Sequence, residues 1–331
     1  MQPKVVAITG ASAGIGRAAA IAFAQRGWRV ALLARGRDGL EGARRDVEAA
    51  GGTALVLPTD VADHRQVEAA AEHIEQEWGA IDVWINNAMA TLFCDFLHIA
   101  PEDFRRATEV TYLGAVYGTL AALKRMQRRN RGTIVQVGSA LAYRSIPLQA
   151  PYCGAKSAVR GFTDALRSEL MHSRSRVHVT MVHLSAFNTP QFEWGRTCMT
   201  ERPRPMGKIF QPEVAAEAIC YAALHRRREL WVGFPAVQAI LGQRIIPGAL
   251  DHYLARTAVD GQHTYEPLPP GRRDNLYQPV AGDHGAHGRF DAQAVDHSMQ
   301  VWANTHRWLI AGAGLAMAFL WGRARAAIAE R

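Results

Sequence analysis

Lys4-Val5-Val6-Ala7-Ile8-Thr9-Gly10-Ala11-Ser12-Ala13-Gly14-Ile15-Gly16 opens the chain, a short apolar run breaking into three spaced glycines with a helix-like segment directly behind. Such a run reads as a first β-strand handing over to a first helix. The glycines let the backbone turn tightly and approach phosphate oxygens, and the helix start beyond them offers unpaired N–H groups and a partial positive charge. Gly10, Ser12, Gly14, Ile15 and Gly16 are therefore candidates for holding a dinucleotide pyrophosphate.

Outward from that turn, strand-like and helix-like stretches alternate. Strands are expected near 4–9, 29–34, 53–58, 81–86, 132–138, 176–184 and 229–233. Helices are expected near 14–26, 37–50, 63–78, 101–129 (with a break), 150–171 and 212–225, the last entered through Pro212. Strand segments such as Ile134-Val135-Gln136-Val137 are apolar on both faces, as a helix-covered parallel sheet requires. The expectation is an α/β, doubly wound Rossmann-type fold with seven parallel strands and helices on both faces. Three regions follow: a nucleotide-binding domain over 1–250, an extended Pro/Gly/His-rich arm over 251–301, and an apolar helix over 302–331.

With 331 residues and 48% hydrophobic content, the chain can bury a full core. The net charge of +8 comes from a basic set in which only Lys4, Lys124, Lys156 and Lys208 are lysine. The remaining arginines are scattered or sit near helix ends, which argues against a nucleic-acid footprint. Cys94, Cys153, Cys198 and Cys220 show no paired spacing and read as reduced thiols in a cytosolic protein, with neither a disulfide frame nor a metal site. The His284–His287 segment lacks acidic or cysteine partners at ligand spacing and reads as a loop. No leader precedes the first strand, so the expected location is cytoplasmic.

The segment from Trp308 to Trp321 carries no charge and is bracketed by Arg307, Arg323 and Arg325. At about 1.5 Å per residue it spans only ~20 Å, short of a bilayer core of about 30 Å. Two readings stand. One is shallow contact with the cytoplasmic face of a membrane, suited by the flanking tryptophans and arginines. The other is a helix packed on protein or on a second copy.

Four further groups lie at expected strand ends. Arg35 follows Val30-Ala31-Leu32-Leu33-Ala34, with no carboxylate there to accept from an adenosine ribose. Arginine instead suits a 2′-phosphate, which favours NADP(H) over NAD(H), with Arg17 as a second positive charge. A plain solvated strand cap is the alternative. Asp60-Val61 and Asn86-Asn87-Ala88 end the third and fourth strands, and Ser139 ends the fifth. Thirteen positions on, Tyr152 and Lys156 sit four apart, on one helical face. Lysine beside tyrosine is expected to lower the phenol's pKa from near 10. The phenol then exchanges a proton with a carbonyl or alcohol oxygen while Ser139 hydrogen-bonds that oxygen.

From Val5 to about Phe234 the chain resembles the short-chain dehydrogenase/reductase family. The resemblance rests on Thr9-Gly10-x-x-x-Gly14-Ile15-Gly16, Asp60-Val61, Asn86-Asn87-Ala88, Ser139 and Tyr152-x-x-x-Lys156. It implies a homodimer or homotetramer acting on a small-molecule carbonyl or alcohol, with Lys156 at the nicotinamide ribose and Thr189 near the carboxamide. Cofactor-binding residues are then Gly10, Ser12, Gly14, Ile15, Gly16, Arg17, Arg35, Asp60, Val61, Asn87, Ala88, Tyr152, Lys156 and Thr189. Met89 and Leu184-Ser185 depart from the family pattern, and Thr111 stands where the family has its catalytic asparagine. Thr111 is therefore grouped with Ser139, Tyr152 and Lys156 as catalytic, holding a water with altered geometry. Phe187–Phe210, with Phe192, Trp194 and Met199, is expected to line a pocket for a lipophilic substrate. The rival reading is a nucleotide-binding regulator or scaffold with little turnover.

Overall fold

The computed structural model describes residues 3–307 and 309. Of the tail helix expected over 302–331, only residues 302–307 and 309 fall within these. Seven strands form one parallel sheet: β1 (Val5–Thr9), β2 (Arg29–Ala34), β3 (Thr53–Pro58), β4 (Val83–Asn86), β5 (Thr133–Ser139), β6 (His178–Leu184) and β7 (Glu229–Val232). Their spatial order is β7-β6-β5-β4-β1-β2-β3, so the order reverses between β1 and β4. At such a switch point the strand-end loops part and leave a crevice at the carboxyl edge.

Alternation along each strand feeds two cores. Val6, Ile8 and Leu32 join Phe23, Leu40 and Ile219 beneath α1 (Gly14–Ala24), α2 (Arg37–Ala49) and α8 (Pro212–Leu224). Val5, Ala7 and Leu33 join Ile74, Trp84 and Met126 under α3 (His64–Trp78) and α5 (Gly114–Arg128). Burying each such large side chain contributes roughly 1.5–3 kcal/mol, and the two layers fix the sheet from both sides. α6 (Ala150–His172) enters through Pro151, whose missing N–H costs nothing in a first turn.

The break expected within 101–129 is a π-helical turn, Glu109–Leu113, between α4 (Pro101–Thr108) and α5. After β6 the chain makes the short α7 (Gln191–Trp194), then α8 and β7. Two helices follow, α9 (Phe234–Ile245) and α10 (Pro247–Thr257), and α10 runs across the boundary expected at 250. The arm is pinned by short pairings: His263–Pro267 runs antiparallel to Glu201–Pro203, and Ala294–Val295 runs parallel to Ile209–Phe210. α11 (Met299–Thr305) follows. No described helix is long and apolar enough to cross a membrane.

The expectation of four reduced thiols is corrected. Cys94 and Cys198 form a disulfide across 104 residues, beside the pairing of Leu92–Phe93 with Arg196–Thr197. Spacing gives no hint of a bond whose partners are brought together only by the fold. Cys153 and Cys220 are free and buried.

Candidate active site

The glycine turn is shaped by close approach. Gly10 has φ +68°, and a Cβ there would sit 2.8 Å from the Cα of Ala88. A Cβ on Gly16 would sit 2.2 Å from the Gly10 carbonyl. Asn87 clamps the turn from the end of β4: its Nδ2 donates to the carbonyls of Thr9 at 3.0 Å and Gly10 at 3.2 Å. The Thr9 hydroxyl accepts from the amides of Asn87 and Ala88. α1 begins with no side-chain cap and no acid in its first turn. Among the described residues, no group receives the amides of Ile15 and Gly16. Two free N–H donors and an uncompensated helix dipole form an anion cradle.

A cavity of about 680 Å³ runs along this edge of the sheet. Gly10, Ser12, Gly14 and Ile15 line it on one side, and Arg35, Asp60 and Val61 line one end. Asn87 and Ala88 line its middle, and Ser139, Tyr152, Lys156 and Thr189 the other end. Thirteen of the sixteen residues expected to bind or react thus share one space. Gly16, Arg17 and Thr111 do not line it.

Each of the three has a physical reason. Gly16 serves packing, as its crowded Cβ position shows. Arg17, expected beside a 2′-phosphate, is instead buried: its Nε holds Asp46 at 2.7 Å and its Nη1 holds Asp283. Thr111 is corrected as a catalytic group. Its hydroxyl donates to the Ala90 carbonyl at 3.0 Å and accepts the Ala90 amide at 2.9 Å. Only 1% exposed within the π-helical turn, it positions the Met89–Ala90 loop.

Ser139 ends β5 and caps the next turn, its Oγ accepting from the Leu141 amide at 3.1 Å. Behind it, His183 is fully buried with Nδ1 3.3 Å from the Ser139 carbonyl, and burial pushes its pKa down, so the ring is neutral. One turn apart on α6, Tyr152 and Lys156 face the serine. The sense expected for their pKa values is corrected. Burial pushes the Tyr152 phenol above its ordinary value, with the Ser139 hydrogen bond opposing that rise. Burial also pushes Lys156 down to about 8. Its Nζ donates to the Val137 carbonyl at 2.6 Å and lies 5.6 Å from the Tyr152 ring centroid. Desolvation is the largest influence on both groups. At neutral pH Tyr152 is a protonated phenol and Lys156 remains an ammonium.

At the far end, Arg35 donates to three carbonyls of the arm: Asn275 from Nη2, and Leu276 and Tyr277 from Nη1. Asp60 is held by Arg106 at 2.5 Å. Phe187, Phe192 and Trp194 line the cavity as expected, while Met199 is buried outside it. Two contributors were missed. Pro235, Ala236, Leu250, Tyr253 and Leu254 from α9 and α10 wall the substrate end. Asn275, Pro279, Val280, Gly282 and His284 of the arm wall the other. Apolar periodicity in 234–257 could have flagged the first; nothing in the aperiodic arm flags the second.

A short chain dehydrogenase family model matches residues 4–196, which hold the glycine turn and Ser139, Tyr152 and Lys156. The chain belongs to the short-chain dehydrogenase family. An uncharacterised oxidoreductase of Bacillus subtilis is 31% identical over 86% of this chain and 80% of its own. A 3-oxoacyl-[acyl-carrier-protein] reductase of Bos taurus is 37% identical over 53% of this chain and 73% of its own. Among solved structures, an alcohol dehydrogenase from the archaeon Thermococcus sibiricus, complexed with 5-hydroxy-NADP, is similar. Its TM-score is 0.61 at 27% identity, over 70% of this chain and 96% of its own. This short-chain dehydrogenase is thus an oxidoreductase of the NAD(P)-using kind.

Proposed function

We propose that the protein is an NADP(H)-dependent oxidoreductase interconverting a carbonyl and an alcohol on a lipophilic small molecule. The observation that carries this is the single cavity joining Ser139, Tyr152 and Lys156 to the glycine turn at Gly10, Ser12, Gly14 and Ile15, where the Ile15 amide has no partner among the described residues. A bound dinucleotide supplies hydride at its nicotinamide; the chain supplies proton and position. Tyr152 donates its proton to the carbonyl oxygen, or takes one back from the alcohol, and Ser139 hydrogen-bonds that oxygen as charge develops. Lys156 keeps positive charge beside the phenolate that donation leaves.

The phosphate-bearing cofactor is supported by Arg35. Its only hydrogen-bond partners among the described residues are neutral carbonyls, and burial lowers its pKa. A half-buried guanidinium that makes no salt bridge among the described residues, with Asp60 near it already held by Arg106, favours an anion placed beside it. The lipophilic substrate is supported by Phe192, Trp194, Leu250 and Tyr253 on the cavity wall, and by the exposed apolar tip Ile245-Ile246-Pro247 between α9 and α10.

The rival reading, a dinucleotide-binding scaffold, draws on Thr111, whose hydroxyl both donates to and accepts from Ala90 and which does not line the cavity. NADPH oxidation with aldehydes and ketones of increasing chain length separates the two. The expected result is turnover that rises with substrate apolarity and falls ~100- to 10,000-fold in Tyr152→Phe, with NADPH binding intact. Tight NADPH binding with no turnover on any carbonyl would establish the scaffold.

A further inference from the structure

The arm between Arg272 and Asp291 follows the cleft from one end to the other. At the Arg35 end its carbonyls at 275–277 take that guanidinium, and Arg106, which holds Asp60, also donates to Leu276 at 3.2 Å. Further along, the Gly282 amide donates to Asp38 at 2.9 Å, at the start of α2. Asp283 then gathers the buried Arg17 and, at 3.3 Å, Arg45. Above the glycine turn the Gly285 carbonyl accepts from the Gly14 amide at 3.1 Å. At the Thr189 end the chain passes so close that a Cβ on Gly288 would lie 2.5 Å from the Thr189 carbonyl. The far end is moored by the Phe290 amide on Asn188 at 3.0 Å, and by His287 set between Glu213 and Asp291.

Two features define what this segment does. It is a wall and not a plug, because the cavity of about 680 Å³ persists with the arm in place and is lined by both. Leu276 and Phe290 anchor it in the core near its two ends, and between them charge pairs and single backbone bonds fasten it. A segment fastened in this way opens locally at lower cost than the sheet it covers.

We propose that Arg272–Asp291 is a retaining strap that closes over the bound dinucleotide, so that the cofactor leaves only when the strap lifts. This rests on the reading of the cleft as a dinucleotide site. The Asp283–Arg17 pair is its principal clasp, since it fixes the strap to a buried cation of α1 that Asp46 alone would otherwise satisfy.

The test is the release of NADPH from preloaded full-length protein, followed by fluorescence on mixing with excess NADP⁺. Asp283→Asn leaves Arg17 paired to Asp46 and is expected to speed release at least tenfold. A second variant acts in the opposite sense. A Cβ on Gly36 would lie 3.2 Å from Cβ of Pro279, so Gly36→Cys with Pro279→Cys can be joined by oxidation after loading. Release from the joined protein is expected to slow at least tenfold and to recover on reduction, with wild type treated identically as control. Equal release rates in wild type, Asp283→Asn and joined protein, with NADPH bound in each, overturn the strap alone. A chain that never binds NADPH overturns the strap and the reading of the cleft together.

Discussion

The floor of the cleft lies within a few residues of strand ends: Gly10 follows β1, Asn87 follows β4 and Ser139 ends β5. The roof, made by residues 186–211 and 272–291, is joined to the rest by contacts that span much of the sequence. Arg17 and Asp283 are 266 residues apart, and Cys94 and Cys198 are 104 apart. The floor is bonded to a sheet buried on both faces. The roof is tied by ion pairs, single hydrogen bonds, one covalent link and a small apolar cluster around Phe192, Ile209 and Phe290. The contrast separates two tasks: the floor sets the chemistry, and the roof sets who enters and how long they stay.

The largest expected effect tests the covalent link. Cys198→Ser should cost about 4 kcal/mol in stability, since closing a loop of this size restricts the unfolded chain strongly. Denaturant melts measure the loss, and KM for the carbonyl should rise while NADPH affinity holds. Unchanged melting would mean that noncovalent contacts alone hold the roof.

Next comes Arg35, where floor and roof meet. Replacing it by aspartate should weaken NADPH binding ~50-fold, about 2–3 kcal/mol for a charge-assisted contact, and NADH binding far less. Titration with both cofactors measures the ratio, and equal losses would mean that Arg35 only anchors the arm.

The smallest effect lies within the floor. Lys156 is 3% exposed, and its folded pKa of about 8 lies below the 10.5 of an unfolded lysine. The folded state then binds fewer protons between those values, so its stability rises with pH from about 8 towards 10.5. At pH 7 the buried charge is a burden, partly offset by the bond to Val137. Lys156→Met should therefore stabilise the protein by on the order of 2 kcal/mol at pH 7 while activity collapses. The gain should shrink through pH 8 to 10.5, and a gain constant with pH would assign it to packing instead.

The same contrast explains what the sequence disclosed. All seven strands and the turn at Gly10–Gly16 were readable because period, glycine spacing and strand-end position are local signals. So were Ser139, Tyr152 and Lys156, which share a cavity as their spacing implied. What depended on burial was not readable. The burial that raises the Tyr152 phenol and lowers the Lys156 ammonium is invisible to four-residue spacing, which shows proximity and says nothing of desolvation. Thr111 looked catalytic by position, yet a π-helical turn aims its hydroxyl at Ala90. Arg17 looked like a phosphate ligand until an aspartate from the distant arm claimed it. Asp283 lies in a stretch with no periodicity, so nothing near it announced a partner on α1.

The bond between Cys94 and Cys198 also bears on how the protein is made. A newly synthesised chain carries four thiols, and two of them must lose their hydrogens to an oxidant after β4 and the segment near Arg196 have come together. Maturation thus has a stage beyond folding, one that depends on the electron-accepting capacity of the surroundings. Cys198 lies at the surface, where a reducing partner can reverse that stage, while Cys94 lies sealed beneath.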